Sequence, residues 1–338
     1  MRLALVGLGT TGSHIARQLI QAPVTELSLY DIDRRRLERV VPAVRAVAHD
    51  VEVVTGQPDP ADPADVVVLA GPVGTHAKPA ASMVAAGSHI VSISDDPAEV
   101  TQLLALDRSA RDRQRALVVG AGFAPGLSCL LARFAANCLD SVEVINVYKA
   151  GTGGPACARQ HHRALRSDGH DWVEGGWVLR RGGSGRDLAW FPEPYGARDC
   201  YRGALSSPVL LQRVFPNAQR ISARMSATRR DRLTSRMPML RRPHDDGGPG
   251  GLRVEVRGRS GRAVETIILG AIDHPAVAGG TVAAVTALAA GAGRAPQGAN
   301  GIAAWPEPKE LLGSLRRKGI RVASFDGQLD VMAVAPRR

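Results

Sequence analysis

The chain has 338 residues, 44% of them hydrophobic and only 4% aromatic, with a formal net charge of +11 at pH 7. That length suits two domains, and the hydrophobic share is ample for a sizeable core. Lysine occurs only at Lys78, Lys149, Lys309 and Lys318, so nearly all the positive charge is arginine. The arginines are scattered and no aromatic residues interleave them, which argues for a solvated basic surface and against a nucleic-acid partner. Cys129, Cys138, Cys157 and Cys200 form no CxxC pair. With the first strand read as beginning at Arg2 and no secretory pattern, reduced thiols and a cytoplasmic location are expected. The most apolar stretch, 276–292, is short and rich in Ala and Gly, and reads as a buried helix, with no membrane span expected.

Taken in chain order, Leu3–Val6 is a first strand, followed by a helix from about Thr11 to Ile20. "ELSLYDID" (Glu26–Asp33) is a second strand and "RRRLERVVPAV" a helix. "VEVV", starting at Val51, is a third strand, and "PDPADPAD" a turn-rich connection. "DVVVLAGP" (Asp65–Pro72) is a wholly apolar fourth strand, and "HAKPAASMVAAG" a helix closed by Gly87. "HIVSIS" is a fifth strand. "DPAEVTQLLALDRSARDR" reads as one helix with Asp96 as its N-cap and Pro97 at its first position. "ALVVGAG" is a sixth strand. Continuous apolar strands alternating with helices imply a parallel sheet covered on both faces, a doubly wound α/β domain.

The pattern then changes. "LSCLLARFAANC" is a helix and "SVEVINVYKAG" a long alternating strand. Residues 151–262 are rich in β signals and glycine, and "GGWVLRRGGSGRDLAWFPEP" reads as hairpin strands about a turn. "RRPHDDGGPGG" (Arg241–Gly251) reads as a loop, "LRVEVRG" and "RAVETIILGAID" as strands. The domain expectation is therefore residues 1–123 for the doubly wound domain, 124–274 for a mixed α/β second domain, and 275–338 for a helix and tail returning to the first.

The chemistry concentrates at strand ends. Gly7-Leu8-Gly9-Thr10-Thr11-Gly12 is a GxGxxG placed between a strand and a helix, the context in which that motif binds a dinucleotide. Gly7 permits the tight turn, Gly9 lets the backbone approach a pyrophosphate, Gly12 lets helix and strand pack, and the helix N-terminus attracts the negative charge. Asp31 closes the second strand nineteen residues after Gly12. A carboxylate there accepts from ribose hydroxyls and repels a 2′-phosphate, which favours NAD. Arg34, with Arg35 and Arg36 behind it, could instead receive that phosphate and leaves NADP open. Gly71, Pro72 and Thr75 follow the fourth strand and mark the nicotinamide side. His76 could bind substrate or shuttle a proton, or merely start its helix. Ser94 and Asp95 end the fifth strand, where Asp95 is a candidate acid. In the second domain His161, His162, His170 and Asp171 lack a metal-ligand spacing and read as polar loop residues. Trp172, Trp177 and Trp190 read as hairpin packing, and Arg159, Arg163 and Arg198 as possible carboxylate contacts. No metal is expected.

"LALVGLGTTGSHIARQL", "DVVVLAGPVGTHAKPAASMVAAGSHIVSISDD", "LVVGAGFAPGLSCLLAR" and "FPEPYGARDCY…PVLLQRVFPN" together resemble the saccharopine dehydrogenase-like reductases, which include saccharopine reductases and carboxynorspermidine dehydrogenases. The resemblance covers most of the chain, best over 1–135 and 190–217. It implies a Rossmann domain joined to a substrate domain, an NAD or NADP cofactor, and hydride transfer at a C–N bond of an amino-acid-like, opine- or imine-type small molecule. In that family the "GFxPG" segment leaves the last Rossmann strand for the second domain. Gly120–Gly126 is then a hinge, with Gly122 beside the nicotinamide and the bare Gly126 permitting domain approach. Many relatives carry Asp where this chain has Ala124, and many are longer. A C–O reductase of hydroxy acids or aldehydes, and a cofactor-binding sensor or partner protein without turnover, are the alternatives. A homodimer is the expected state.

Overall fold

The computed structural model describes residues 1–47, 52–239 and 242–325. Val51, Arg241 and the end of the tail, for which sequence expectations exist, lie outside the described residues. The chain divides into two compact units: 1–126 with 276–302, and 127–275 with the chain from Ala303 onward.

The first unit opens with β1 (Arg2–Val6), α1 (Thr10–Leu19), β2 (Glu26–Tyr30), α2 (Arg34–Arg45), β3 (Glu52–Thr55) and β4 (Val66–Leu69). It continues with α3 (Ala77–Ala86), β5 (His89–Ser92), α4 (Pro97–Leu104), α5 (Asp107–Asp112) and β6 (Ala116–Val119). Every residue of β4 and of β6 is buried, as an apolar strand covered on both faces must be. Asp96 caps α4 by accepting from Ala98 N–H and Glu99 N–H, both at 3.0 Å, with Pro97 at the first turn. The single helix expected after Asp96 is two, α4 and α5.

The second unit runs through α6 (Leu127–Ala136), β7 (Ser141–Ala150), α7 (Pro155–Arg166), β8 (Gly169–Val173), β9 (Gly176–Arg180), β10 (Asp187–Trp190) and β11 (Ala197–Tyr201). It continues with α8 (Ser207–Gln212), β12 (Arg220–Ser226), α9 (Arg229–Thr234), β13 (Gly250–Ser260) and β14 (Ala263–Asp273). Helix α10 (Pro275–Gly291) and strand β15 (Gly298–Gly301) follow, and α11 (Pro308–Arg317) and β16 (Val322–Ser324) end the described chain.

The first sheet has seven strands in the order β15-β6-β5-β4-β1-β2-β3, each described pairing parallel. Strand order reverses between β1 and β4, the switch point where ligands of such sheets bind at the carboxyl ends. Six strands are expected from the sequence, and β15 is the seventh. "GANG" carries no strand signal, yet Gly298–Gly301 pairs in register with Ala116–Val119, and Ala299 N–H donates to Asp107 Oδ1 at 2.8 Å. The long Ala-rich helix α10 is buried along this unit, where Gly280 leaves room for His14 and Ile15 of α1.

The second sheet is mixed. β7 pairs parallel with β12 and antiparallel with β13, and β13 and β14 form a long hairpin. β16 adds to β14, so the tail beyond Ala303 clusters with this unit and only α10 and β15 return to the first. β9 and β10 do not form the hairpin expected of them: β9 pairs β8, through a turn at Glu174 and Gly175 with φ of 49° and 85°, and β10 pairs β11. "RQHH" and its neighbours, read as loop, form α7, and the strand β8 follows. Gly250 and Gly251, read as loop, open β13. Trp172 and Trp177 pack edge to face across β8–β9, with ring centroids 5.2 Å apart, while Trp190 is exposed.

Candidate functional site

The residues singled out in the first unit gather at the carboxyl ends of β1, β2, β4 and β5. Gly7 ends the β1 turn at φ +100°, and a side chain there would place Cβ 2.6 Å from the Ala70 carbonyl carbon, against the end of β4. Gly12 presses on the Gly7 carbonyl, leaving no room for Cβ. Gly9 is different in kind. It is the N-cap of α1, and nothing lies within 4 Å of a Cβ built on it. No side chain caps α1, and no acid occupies its first turn, where Thr10 and Thr11 sit. Open space at the half-buried Gly9, on an uncapped, acid-free helix N-terminus, fits an anionic pyrophosphate.

Asp31 lies against this loop. Its Oδ2 accepts Leu8 N–H at 2.6 Å and its Oδ1 accepts Asp33 N–H at 2.8 Å. Arg36 reaches the same carboxylate at 3.5 Å, and the Asp31 side chain is 3% exposed. Each oxygen retains acceptor capacity for a ribose hydroxyl, but the carboxylate is first of all the anchor of the glycine loop. Arg34 points away, its exposed guanidinium paired with Glu38 at 3.0 Å. Arg36 is the arginine that faces Asp31, and nothing in the run of three arginines singles it out from its two neighbours.

After β4, the chain turns tightly. Thr75 donates its hydroxyl to the Pro72 carbonyl at 2.7 Å, and its Oγ1 occupies the space where Gly71 would carry a Cβ. His76 is 1% exposed. Its Nε2 lies 2.9 Å from the Gly71 carbonyl and its Nδ1 2.8 Å from Ser92 Oγ. A carbonyl only accepts, so Nε2 carries the hydrogen, and Nδ1 accepts from the Ser92 hydroxyl. Both ring nitrogens are thus spent inside the unit, which places His76 as a brace of the Gly71–Thr75 turn.

Glu99, absent from the sequence expectations, is the hub beneath. It is 3% exposed. One carboxylate oxygen accepts His76 N–H at 2.8 Å and the other the Ser94 hydroxyl at 2.7 Å. Ser94 N–H in turn donates to Ser92 Oγ at 3.2 Å. Ser94 therefore turns its hydroxyl inward, while Asp95 follows it at the same sheet edge, half-buried. The sequence signal for Glu99 was available: an acid in the first turn of α4 that reads equally well as a partner of the helix dipole.

The second glycine turn closes on itself. Gly122 N–H donates to the Pro125 carbonyl at 3.0 Å, and Gly122 and Gly126 form a β-bridge. Gly126 has φ +122°, and its Cβ would collide with Gly122. The missing side chain is demanded within the turn itself, a reason the sequence reading of that glycine did not supply. Gly279 of α10 packs on the same turn, its Cβ position 3.1 Å from Phe123 N.

In the second unit, His161 sets Nε2 at 3.1 Å from the Ser226 carbonyl and His162 sets its own at 2.9 Å from the Met237 carbonyl, while His170 is exposed. Asp171 is buried between Arg202 (3.1 Å) and Arg180 (3.4 Å). Arg198 lies over the Tyr195 ring at 4.8 Å. Burial pushes the Cys200 thiol up to about 12, so it is inert as a nucleophile at neutral pH. Among the described residues no group of three or more His, Cys, Asp or Glu could hold a metal ion, and no helix is long and apolar enough to cross a membrane.

Residues 1–117 match the model of the ornithine cyclodeaminase/mu-crystallin family. Among solved structures, the chain is similar to apo saccharopine dehydrogenase (L-Glu forming) from Saccharomyces cerevisiae, with a TM-score of 0.70 at 13% identity over 96% of this chain and 99% of that one. A DAP dehydrogenase of C. glutamicum, in complex with DAP, matches with a TM-score of 0.46 at 13% identity, over 94% of this chain and 99% of that one. At such identities the likeness is one of fold. The parallel doubly wound sheet and the second mixed sheet expected from the resemblance to saccharopine dehydrogenase-like reductases are the fold found.

Proposed function

We propose that the chain is an NAD(P)-dependent oxidoreductase that transfers hydride at a C–N bond of an amino-acid-derived substrate of the opine or imine type, with NAD favoured over NADP. The observation that carries the cofactor reading is Gly9: open space above an uncapped helix N-terminus, with the Asp31 carboxylate fixed to the neighbouring Leu8 N–H. In this reading the α1 N-terminus holds the pyrophosphate, and Asp31 accepts from the adenosine ribose and disfavours a 2′-phosphate. Gly71, Pro72, Thr75 and Gly122 supply backbone on the nicotinamide side. The bound nicotinamide supplies the redox chemistry, and the protein binds, orients and excludes water. The substrate reading is supported by the names of the proteins matched, a saccharopine dehydrogenase forming L-Glu and a family named for ornithine cyclodeaminase.

The test has two stages. Fluorescence titration should find NADH bound more tightly than NADPH. Turnover should then require an amino acid together with a keto acid. Turnover with a hydroxy acid or aldehyde alone would place the chemistry at a C–O bond, and dinucleotide binding without any turnover would make the chain a cofactor-binding sensor or partner. Failure to bind either dinucleotide would end the oxidoreductase reading.

A further inference from the structure

The arginines are scattered along the sequence, but the fold gathers a group of them on the second unit. α7 exposes Arg159, Arg163 and Arg166, which at steps of four and three residues form one stripe along the helix. His162 lies beside that stripe, as a helical neighbour of both Arg159 and Arg166, and its Nε2 sits 2.9 Å from the carbonyl of Met237. Met237 follows α9 in the chain, so α9 borders the stripe. It adds the exposed Arg229 and Arg230, with Arg236 just past its end. The turn after β9, which carries the exposed Arg181, closes the group. A Cβ on Gly182 would stand 2.8 Å from the Arg166 carbonyl carbon, and one on Gly183 would stand 3.9 Å from Arg232 Nε of α9.

These arginines have charge to spare. Among the described residues none of the stripe, of Arg181, Arg229, Arg230 or Arg236, pairs with a carboxylate. The nearby acids serve the backbone: Asp231 takes the N–H and the hydroxyl of Thr228, and Asp168 takes Gly182 N–H at 3.0 Å. α9 itself buries none of its residues. It is pinned by the Thr228–Asp231 capping box and by Arg232, whose guanidinium lies 4.5 Å over the Tyr201 ring. Set among the arginines are exposed aliphatic side chains: Leu233 at 81%, Met237 at 45%, and Leu179, two residues before Arg181, at 60%. A pinned helix that packs on nothing, with Leu and Met standing out between unpaired cations, marks an interaction surface.

The partner must offer dense negative charge and an apolar layer together. A second copy of this chain is disfavoured, since each copy carries a formal net charge of +11. A nucleic acid would match the arginines and leave Leu233 and Met237 without a counterpart. The boundary between headgroups and acyl chains in an anionic bilayer takes both. We propose that α9, with the α7 stripe and the turn after β9, docks the protein on an anionic membrane surface. Leu233 and Met237 enter the headgroup boundary, and the arginines meet the lipid phosphates and carboxylates. The proposal is independent of the oxidoreductase reading.

Co-sedimentation of the full chain with phosphatidylcholine vesicles, made with and without phosphatidylserine, tests it. The chain should pellet with the vesicles that contain phosphatidylserine and stay in solution with phosphatidylcholine alone, and binding should weaken as salt is raised. Arg229→Glu combined with Arg230→Glu should weaken binding about tenfold or more. Both positions lie in the first turn of α9, where an acid suits the helix dipole, so the melting temperature should hold. Leu233→Ser loses no packing within the protein and should also weaken vesicle binding, by about tenfold. If a variant does not fold, the wild-type comparisons decide alone. Four outcomes overturn the proposal: no binding to phosphatidylserine vesicles, equal binding to phosphatidylcholine alone, vesicle binding unchanged in Leu233→Ser, or displacement of the chain from vesicles by polyuridylate at an equal phosphate concentration. The last would make this a nucleic-acid surface.

Discussion

Glu99 accepts the backbone N–H of His76 at 2.8 Å and by that bond fastens the turn after β4 to the first turn of α4. Its second oxygen fastens the end of β5 through Ser94. Two loops at the carboxyl edge of the first sheet are therefore set by one buried carboxylate. Glu99→Gln offers one acceptor oxygen to two donors, so one buried donor is stranded, a loss of about 1–3 kcal/mol. Glu99→Ala strands both and should cost more. Urea denaturation of the two variants checks the order. Dinucleotide affinity should fall in the same order, since the Gly71–Thr75 turn is held by the same group.

Gly9 and Gly12 separate binding from folding. Gly9→Ala meets nothing in the protein, and its extended backbone suits any residue, so stability should fall by less than about 1 kcal/mol, the scale of an N-cap exchange. On the proposed cofactor reading NADH affinity should nevertheless fall by about tenfold or more, roughly 1.4 kcal/mol, because the new methyl would stand where that reading brings the pyrophosphate. Gly12→Ala drives Cβ into the Gly7 carbonyl and should lower the melting temperature instead. Equal melting temperatures for the two variants would contradict this assignment.

What the sequence disclosed follows from how each feature is encoded. The apolar runs of β1, β4 and β6, the Asp96-Pro97 cap and the closing Gly87 are local signals, and each stands where it was read. β15 was hidden because "GANG" pairs through its backbone and through Asp107, with no side-chain pattern to announce it. α7 was hidden because its buried side includes Gln160 rather than a stripe of large apolar residues. His76 was legible as a strand-end histidine, but its role was not, since that depends on Ser92 and Glu99, 16 and 23 residues away. The glycine loop and Asp31 were legible because motif and spacing place them together. That the Asp31 carboxylate is buried on Leu8 and Asp33 N–H groups is a property of the fold alone.

Asp31→Ser should report two effects at once. The serine hydroxyl cannot span both Leu8 N–H and Asp33 N–H, so the loop loses an anchor and about 1–3 kcal/mol of stability. In the proposed cofactor reading the carboxylate that accepts from the ribose is also gone and Arg36 is released from its partner, so the preference for NADH over NADPH should narrow or reverse. Parallel titrations with both dinucleotides on the folded variant provide the check. A wild-type protein that prefers NADPH would assign Arg36 to the 2′-phosphate and leave Asp31 as a loop anchor only.

His161 gives the second unit an acid sensitivity of predictable sign. Its pKa is pushed down from 6.5 to about 4 in the folded protein, chiefly by burial. The unfolded chain then binds the proton that the folded chain refuses. The stabilisation is complete above about pH 6.5, declines as pH falls and is gone near pH 4, an effect of about 3 kcal/mol at most. His89 adds to it in the same direction: it is pushed down by burial and by Arg115, and its Nδ1 is held as acceptor of Ala116 N–H. Unfolding free energies measured from pH 7 to pH 4 should therefore fall more steeply in the wild type than in His161→Phe. The difference between the two curves should develop between pH 6.5 and 4. Parallel curves over that range would mean that the imidazole protonates as freely in the folded protein as in the unfolded chain.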